Sequence, residues 1–360
     1  MKIVVACGGT GGHAFPGLAV AEELKRRGHE VTVWDSGRDI ESSVMRNWHG
    51  ATFSTGARQL SIRHVLSILA SILRCRREMR KESPDVVLAM GSYSSLPPVL
   101  AARGRRIPVV LHEANSIPGR AVEFLSRFAK KVAISFDVTA KHLPGCETVR
   151  TGLPVRADIS SGKRFEFIPA DAFVVFVTGG SQGAQQINIS VRKILPEMLQ
   201  FTSVGLVAGR TQYESMVDLK KYEIYEKAKL KSNFRMWAFN SAMFELLGAA
   251  DVIISRAGAT TIAEMAVLSK AVILVPYAAL PGAHQVKNAE RLAKLSAAEV
   301  IADEEMVKNP EKLLEIVRKL VRSPRVRADL AKNLHDTSAT DAAERLAKIL
   351  IEVAEPTEKK

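Results

Sequence analysis

Short apolar runs that alternate with helical patterns are the feature that most constrains the fold of this chain. These runs contain few polar residues, which is typical of parallel strands covered on both faces. In the first half the predicted strands are Lys2–Cys7, His29–Trp34, Asp85–Met90, Pro108–His112 and Lys131–Ile134. In the second half they are Ala172–Thr178, Val204–Ala208, Asn233–Phe239, Asp251–Ser255 and Ala271–Pro276. Helical segments such as Gly17–Arg27 and Ala121–Ala129 separate the strands, so the sequence predicts an α/β fold with doubly wound parallel sheets.

The chain of 360 residues is long enough for two domains, and the regular alternation lapses after Pro154 into a polar stretch. We predict a first domain over residues 1–156 and a second over 157–340. Residues 341–360 are predicted to be a helix and a charged tail that returns toward the first domain. Since ligands of doubly wound sheets bind beyond the carboxyl ends of the strands, we expect a site in a cleft between two facing domains.

The charge balance is basic: 51 Lys and Arg against 38 Asp and Glu give a net charge of +13, which favours acidic partners such as nucleotide diphosphates, anionic lipid or nucleic acid. Three widely spaced cysteines form no disulfide or zinc pattern and favour a reducing compartment. The sequence starts on a strand-like run without a signal-peptide pattern, and no apolar stretch is long enough to span a bilayer. We therefore expect a cytosolic protein, or one bound to a membrane from the cytosolic side.

A glycine-rich loop, Gly8–His13, follows the first predicted strand directly and precedes a helix. Glycines there allow backbone N–H groups to approach a phosphate, and the helix N-terminus adds about half a positive charge. Residues 9–14 also satisfy the relaxed dinucleotide fingerprint, and Asp35 ends the second strand where a ribose-binding acid would sit. An NAD-dependent oxidoreductase is therefore an alternative.

Two further turns follow strands of the second half. Gly179–Ala184 is a second glycine-rich turn between a strand and a helix, which favours a protein that binds two phosphorylated ligands, one per domain. Ser255–Thr261 opens a helix that contains Glu264, whose carboxylate is placed to accept hydrogen bonds from ribose hydroxyls. The alternative for Glu264 is a solvated residue that the helix dipole favours.

His13 is predicted to be the last residue before the first helix, at the bottom of the cleft, where it is a candidate general base, phosphate donor or helix cap. Glu113 and Asn115 follow the strand at Pro108–His112 and are expected to reach the same cleft. The sequence shows no Asp-x-Asp or His/Cys cluster, so we expect no metal and no cofactor.

Taken in order, these motifs resemble the MurG enzymes of peptidoglycan synthesis, which have the GT-B fold of two doubly wound parallel-sheet domains. The resemblance covers nearly the whole chain. It rests on the following motifs: Gly8–His13 with Phe15–Leu18, Pro84–Val87, Gly91–Tyr93, His112–Asn115, Gly152–Arg156, Gly179–Ala184, Ser255–Ala259, Glu264, and Gln285 with Asn288. The chain departs from the family at Ala114, where glutamine is usual, at Thr151–Pro154, and at His284, where an acidic residue is common.

The resemblance implies transfer of N-acetylglucosamine from UDP-GlcNAc to the 4-hydroxyl of an undecaprenyl-linked muramoyl-pentapeptide, with inversion and without a metal. His13 or Glu113 would be the base. The acceptor would lie near Thr10, Gly11, Gly12 and Tyr93. The donor would contact Asn115, Arg156, Ser181, Ala259, Thr260, Glu264 and Gln285, with the uracil against the backbone near Phe239 and Asn240. A nucleic-acid-binding module is the third alternative, but no recognition-helix motif supports it.

Residues 58–81 form a basic amphipathic segment. Its apolar stripe comprises Ile62, Val65, Leu66, Leu69, Ile72 and Leu73, widened by Ile68, and arginines crowd its ends. Such a segment is typical of a helix that lies in a bilayer interface, and the lipid-linked acceptor favours that interpretation. The alternative is a crossover helix packed on the sheet. We predict contact with an anionic membrane surface, with Ile68 and Ile72 among the exposed members.

Overall fold

The computed structural model describes residues 1–9, 11–38, 45, 48–58, 65–155, 172–180, 183–217, 233–240, 243–279 and 283–355. The chain divides into two compact units. The first unit comprises Met1–Ala157 together with Ala339–Lys360, and the second comprises Asp158–Ser338. Each unit is built around one parallel sheet.

The described strands fall into a seven-stranded and a six-stranded sheet. The first sheet contains β1 (Lys2–Ala6), β2 (Glu30–Asp35), β3 (Ala51–Ser54), β4 (Val86–Ala89), β5 (Val109–Glu113), β6 (Lys131–Ile134) and β7 (Thr148–Arg150). The second contains β8 (Val174–Thr178), β9 (Ser203–Val207), β10 (Phe234–Trp237), β11 (Val252–Ser255), β12 (Ala271–Leu274) and β13 (Glu299–Val300).

Helices follow most of these strands. They are α1 (Gly11–Arg26), α2 (Val65–Glu82), α3 (Leu96–Arg103), α4 (Arg120–Leu125), α5 (Gln185–Met198), α6 (Arg210–Val217), α7 (Met243–Ala249), α8 (Ala259–Val267), α9 (His284–Lys294), α10 (Asp303–Lys308), α11 (Glu311–Arg322), α12 (Pro324–His335) and α13 (Ala342–Ala354). A short 3₁₀ helix, Tyr93–Ser95, precedes α3.

The described strand pairs are all parallel, and β4, β5, β8 and β11 are buried along their whole length, as continuous apolar runs require. The first sheet has the order β3-β2-β1-β4-β5-β6-β7 and the second β10-β9-β8-β11-β12-β13. The predicted fold class, two doubly wound parallel-sheet domains, is therefore confirmed. In each sheet the order reverses between two adjacent strands, β1 and β4 in one and β8 and β11 in the other. The loops that leave these strands are where ligands of such sheets bind.

The last described helix, α13, belongs to the core of the first unit. Leu346, Ala347 and Leu350 are fully buried in the same apolar cluster as Leu18 and Leu24 of α1. The helix also forms an ion pair between Glu352 and Lys131, which begins β6. One face of the first sheet is thus covered partly by residues from the far end of the sequence.

The structure differs from the sequence-based expectation at several elements. The strands β3, β7 and β13 were not predicted, because they are short and lie toward the sheet edges. Helix α1 begins at Gly11 rather than at Gly17. It accommodates Pro16, whose nitrogen cannot donate a helical hydrogen bond. His13 consequently lies within the first turn of α1, and its predicted position before the helix is wrong.

Replacing Gly17 with alanine tests how closely α1 packs on β1. The added methyl group would overlap Cβ of Cys7 and lie 2.8 Å from its sulfur. Because a packed core resists extra volume, we expect the free energy of unfolding to fall by roughly 1–3 kcal/mol, measured by urea unfolding and circular dichroism. Gly104→Ala is the control, since the nearest atoms to its methyl group would be carbonyl oxygens 3.6 Å away. Equal losses in both variants would contradict this packing.

Candidate functional site

The loop between β1 and α1 is tied to the loop after β4. The hydroxyl groups of Ser92 and Ser94 both donate to the carbonyl oxygen of Gly8, at 2.7 and 2.6 Å. Gly11 and Gly12 form the start of α1, so their backbone N–H groups belong to the helix N-terminus, where anions are favoured. Thr10 lies outside the described residues. The backbone of Gly8 is therefore tied to the loop after β4 at the point where the strand order reverses.

His13 is fixed by a hydrogen bond from its Nδ1 to the carbonyl oxygen of Met90, at 2.8 Å. Since a carbonyl can only accept, Nδ1 carries the hydrogen and the basic lone pair is on Nε2. Burial lowers the pKa of His13, and the hydrogen bond to Met90 opposes this shift in part. The imidazole is thus neutral near pH 7 and able to take a proton on Nε2.

Tyr93 lies beside the same loop. The guanidinium of Arg38 donates from Nη1 to the hydroxyl oxygen of Tyr93 and to the carbonyl oxygen of Gly9, both at 3.1 Å. Arg38 is exposed and follows β2, and it was not among the sequence-predicted site residues. A cation and a phenol are thereby placed next to the N-terminus of α1.

Glu113 is buried at the end of β5, and its carboxylate organises the loop that follows. One oxygen accepts hydrogen bonds from the backbone N and the side-chain Nδ2 of Asn115, at 2.8 and 3.0 Å. The other accepts from the backbone N of Gly119, at 2.9 Å. Burial raises the pKa of Glu113, and these donors offset part of that shift. Both oxygens are engaged, which favours a role in holding Asn115 over a role as base.

In the second unit the turn after β8 is shaped by backbone and side-chain bonds. Gly183 has a φ of +74°, and a side chain there would collide with the carbonyl oxygen of Ala208. Asn188 in α5 donates to that same oxygen at 2.8 Å and thereby fixes the start of the helix. Ser181 lies outside the described residues, as does Arg156 of the first unit.

The turn after β11 leads into α8, where Ala259 and Thr260 form the first turn. Glu264 lies one turn further and is half-buried. The carbonyl oxygen of Ala257 accepts a hydrogen bond from Nδ2 of the buried Asn288, at 3.2 Å. This bond links the turn to α9, the helix that carries Gln285.

Gln285 lies in the first turn of α9, and its Oε1 accepts a hydrogen bond from the backbone N of Tyr277, at 3.0 Å. Because the donor is an N–H group, the amide orientation is determined by the contact. The NH₂ group of Gln285 is therefore the part of the side chain that can donate a hydrogen bond to an oxygen of a ligand.

The structure thus groups Gly11, Gly12, His13 and Tyr93 at one edge of the first sheet, with Glu113 at the end of β5 and Asn115 just after it. It groups Ala259, Thr260, Glu264 and Gln285 at the equivalent edge of the second sheet. Sequence reasoning missed Arg256 and its partner Asp303. Arg256 stands inside the turn that opens α8, and a charged residue directly after a buried strand was the available signal.

Within the described ranges, no group of three His, Cys, Asp or Glu side chains is placed to hold a metal ion. A reaction without a metal stays a prediction. Likewise, among the helices of these ranges none has the length and apolar content to cross a bilayer.

Comparisons with known proteins identify the family to which both halves of the chain are similar. Residues 3–134 match the glycosyltransferase family 28 N-terminal domain, and residues 174–346 match the family 28 C-terminal domain. The chain is 35% identical, over 96% of each sequence, to the UDP-N-acetylglucosamine–N-acetylmuramyl-(pentapeptide) pyrophosphoryl-undecaprenol N-acetylglucosamine transferase of Geotalea uraniireducens. It is 32% identical to the Bacillus licheniformis protein of the same name, covering 98% of this chain and 99% of that one.

Solved structures resemble the chain as well. The crystal structure of Acinetobacter baumannii MurG has a TM-score of 0.74 at 27% identity, covering 98% of this chain and 99% of that one. A UDP-GlcNAc 2-epimerase from Neisseria meningitidis, bound to UDP-GlcNAc, has a TM-score of 0.71 at 15% identity, covering 98% of this chain and all of that one. At that identity the second likeness concerns the fold alone.

His112 provides a pH test of the edge that carries Glu113. Its Nε2 donates to the carbonyl oxygen of Gly152 at 3.0 Å, and burial lowers its pKa to about 4. Between about pH 6.5 and pH 4 the unfolded chain binds a proton that the folded chain does not, so acidification destabilises the fold. We expect His112→Gln to lose stability less steeply across this window, by up to a few kcal/mol, in urea unfolding at several pH values.

The exposed His142 supplies the control for this experiment. His142→Ala should retain the pH dependence of the unsubstituted chain. If His112→Gln shows that same slope, the burial of a neutral imidazole contributes nothing to acid sensitivity.

Proposed function

The chain belongs to glycosyltransferase family 28 and, within it, to the MurG enzymes, and we propose that it transfers N-acetylglucosamine from UDP-GlcNAc to a lipid-linked muramoyl-pentapeptide. The new bond would form at the 4-hydroxyl of the muramoyl sugar, carried on undecaprenyl diphosphate. Membership decides against the NAD-dependent oxidoreductase that the first glycine loop and Asp35 left open. The enzyme class predicted from the ordered motifs is confirmed.

The donor site proposed here uses the loop edge of the second sheet. Glu264 would accept hydrogen bonds from the ribose hydroxyls, and the turn Ala259–Glu264 would line the nucleotide. The NH₂ group of Gln285 would donate to a hydroxyl of the hexose, since its carbonyl is engaged by Tyr277. The N-terminus of α5 would stabilise the diphosphate through its dipole, together with Ser181 and Arg156.

The acceptor site proposed here uses the loop edge of the first sheet. The N-terminus of α1, with Gly11 and Gly12, would take the acceptor diphosphate, and Tyr93 would lie beside it. Asn115, which Glu113 holds in place, would reach the donor sugar. These roles need no metal, because helix dipoles and side-chain donors supply the positive potential.

The observation that carries the mechanism is the hydrogen bond from His13 to Met90. It leaves Nε2 as the basic nitrogen of a neutral imidazole. In the proposed step, Nε2 takes the proton of the acceptor hydroxyl while that oxygen attacks the anomeric carbon from the face opposite UDP. The bond to the UDP oxygen breaks with its electron pair, and the configuration inverts. Glu113, with both oxygens bonded, is the second candidate for the base.

Substitution of His13 tests both the reaction and the identity of the base. His13→Ala should lower kcat by about 10²–10⁴-fold, because general base catalysis contributes that much. The dissociation constant for UDP-GlcNAc should change little, because the imidazole acts on the acceptor. Radiolabelled sugar transfer and calorimetry measure the two quantities. The exposed His142 again gives the control, His142→Ala.

Three results would contradict parts of this proposal. Full kcat in His13→Ala would move the role of base to Glu113. Loss of UDP-GlcNAc binding in the same variant would place His13 in the donor site. An unsubstituted enzyme that transfers no sugar to the lipid-linked acceptor would overturn the function itself.

The membrane surface proposed here lies on α2. This helix buries Ser71, Cys75 and Met79, while Val65, Leu66, Leu69 and Leu73 are exposed. The helix also carries five basic residues, all of them exposed: Arg74, Arg76, Arg77, Arg80 and Lys81. An apolar strip bordered by cations suits the interface of an anionic leaflet, and the anionic cytoplasmic leaflet is the one proposed.

The structure corrects which members of the stripe are exposed. Ile68 and Ile72, predicted to face solvent, are half-buried, and Ile62 lies outside the described residues. Their side chains lie between the buried and exposed faces of α2. The two most exposed members are Leu66, at 84%, and Leu73, at 66%.

Charged substitutions at these two leucines test the membrane surface. We expect the double variant Leu66→Glu, Leu73→Glu to sediment less with vesicles that contain anionic lipid, and binding of the unsubstituted chain to weaken at high salt. Turnover on a short-chain soluble acceptor should be unchanged. Leu295→Glu, at an exposed leucine of the second unit, is the control. Unchanged sedimentation of the double variant would show that α2 is no anchor.

A further inference from the structure

A largely buried ion pair lies beside the proposed donor site. Nη1 of Arg256 donates to Oδ1 of Asp303 at 2.8 Å, and Nη2 donates to Oδ2 at 3.3 Å. Only 10% of the arginine side chain and 15% of the aspartate side chain are exposed. Nη1 also donates to the carbonyl oxygen of Val275 at 3.0 Å.

These contacts join three consecutive loops at one edge of the second sheet. Arg256 follows β11, Val275 follows β12, and Asp303 begins α10 after β13. The guanidinium also lies 5.3 Å from the centre of the Tyr277 ring, and the backbone N of Tyr277 is the donor that orients Gln285. The ion pair is thus connected to Gln285 through one residue.

Stability alone is a weak reason for such a pair. Removing two charges from water costs about as much free energy as their attraction returns, and apolar replacements are often equally stable. What the pair does supply is a defined geometry. The planar guanidinium donates hydrogen bonds to two carboxylate oxygens and one carbonyl oxygen, and these three directions fix how the loops lie relative to one another.

We propose that Arg256 and Asp303 are positioning residues that set the amide of Gln285 for the sugar of the donor. They touch neither the nucleotide nor the hexose in this scheme. Arg256 itself stands in the turn that precedes Glu264, but Asn288 also holds that turn, through the carbonyl oxygen of Ala257. In the loop after β12, Arg256 contacts both Val275 and Tyr277. The pair is therefore proposed to contribute more to recognition of the hexose than to recognition of the UDP portion. This inference rests on the proposed function.

The test compares two ligands rather than one activity. For Asp303→Asn, calorimetry should show a dissociation constant for UDP within about twofold of the unsubstituted value. The dissociation constant for UDP-GlcNAc should rise on the order of tenfold, because a displaced amide loses its hydroxyl contact. A variant that is only less stable would weaken both ligands alike or neither.

The matched control is Glu305→Gln, on the same helix as Asp303. Glu305 forms an exposed ion pair with Lys312, and its loss should alter neither dissociation constant. Arg256→Lys is the second variant. Lysine keeps the positive charge beside Asp303 but cannot make both hydrogen bonds to its carboxylate. We therefore expect the same selective loss of affinity for UDP-GlcNAc, without leaving the Asp303 carboxylate buried and unpaired.

The possible outcomes distinguish a failure of the positioning role from a failure of the proposed donor, UDP-GlcNAc. If the unsubstituted chain binds UDP-GlcNAc, but both variants leave the ratio of the two dissociation constants unchanged, the positioning role is wrong. The positioning role is also wrong if the binding of UDP and of UDP-GlcNAc weakens equally. If the unsubstituted chain binds UDP-GlcNAc no more tightly than an unrelated sugar nucleotide, the proposed donor itself is overturned.

Discussion

The reversal of strand order in each parallel sheet is the constraint on which the other site features depend. At a reversal, the connections of two neighbouring strands leave toward opposite faces, and their loops face each other across a gap. In the first unit this brings the loop after β1 against the loop after β4, where Ser92 and Ser94 bond to Gly8. In the second unit it places the turn after β8 beside the turn after β11. Among the described residues of the proposed site, His13, Tyr93 and Glu264 lie on the segments that follow β1, β4 and β11.

The two units satisfy the polar groups at these edges by different chemistry. The first relies on groups held against backbone: His13 on Met90, His112 on Gly152, and Glu113 on the N–H groups of its own loop. The second adds a charged pair, Arg256 with Asp303, to two buried asparagines. In the proposed mechanism, the neutral imidazole of His13 takes the proton of the acceptor hydroxyl. In the proposed donor site, the fixed amide of Gln285 recognises the sugar.

The strands were predictable because a parallel strand buried on both faces must be apolar, as Val174–Thr178 and Val252–Ser255 are. The start of α1 was not, because Gly11, Gly12 and Pro16 are unfavourable inside a helix and suggest a loop. Periodicity identified the stripe of α2 but not its exposed side, since both faces carry apolar residues and neighbouring elements decide which is covered. Arg256 could be noticed as a charged residue directly after a buried strand, but its partner Asp303 begins a helix far along the chain, so no local pattern indicates the pair. The turns after β8 and β11 were visible in the sequence only as glycine-containing segments, and their hydrogen bonds could be seen only in the folded structure.

The position of α13 has a consequence for how the molecule is made. The apolar face of the first unit that holds Leu18 and Leu24 is completed by Leu346 and Leu350. During synthesis from the N-terminus, that face stays exposed until the whole second unit has been translated and α13 follows it. The second unit is continuous in sequence, so its synthesis is complete before that of the first unit, which still lacks residues 339–360. Vectorial synthesis thus makes the first unit in sequence the last to close its core.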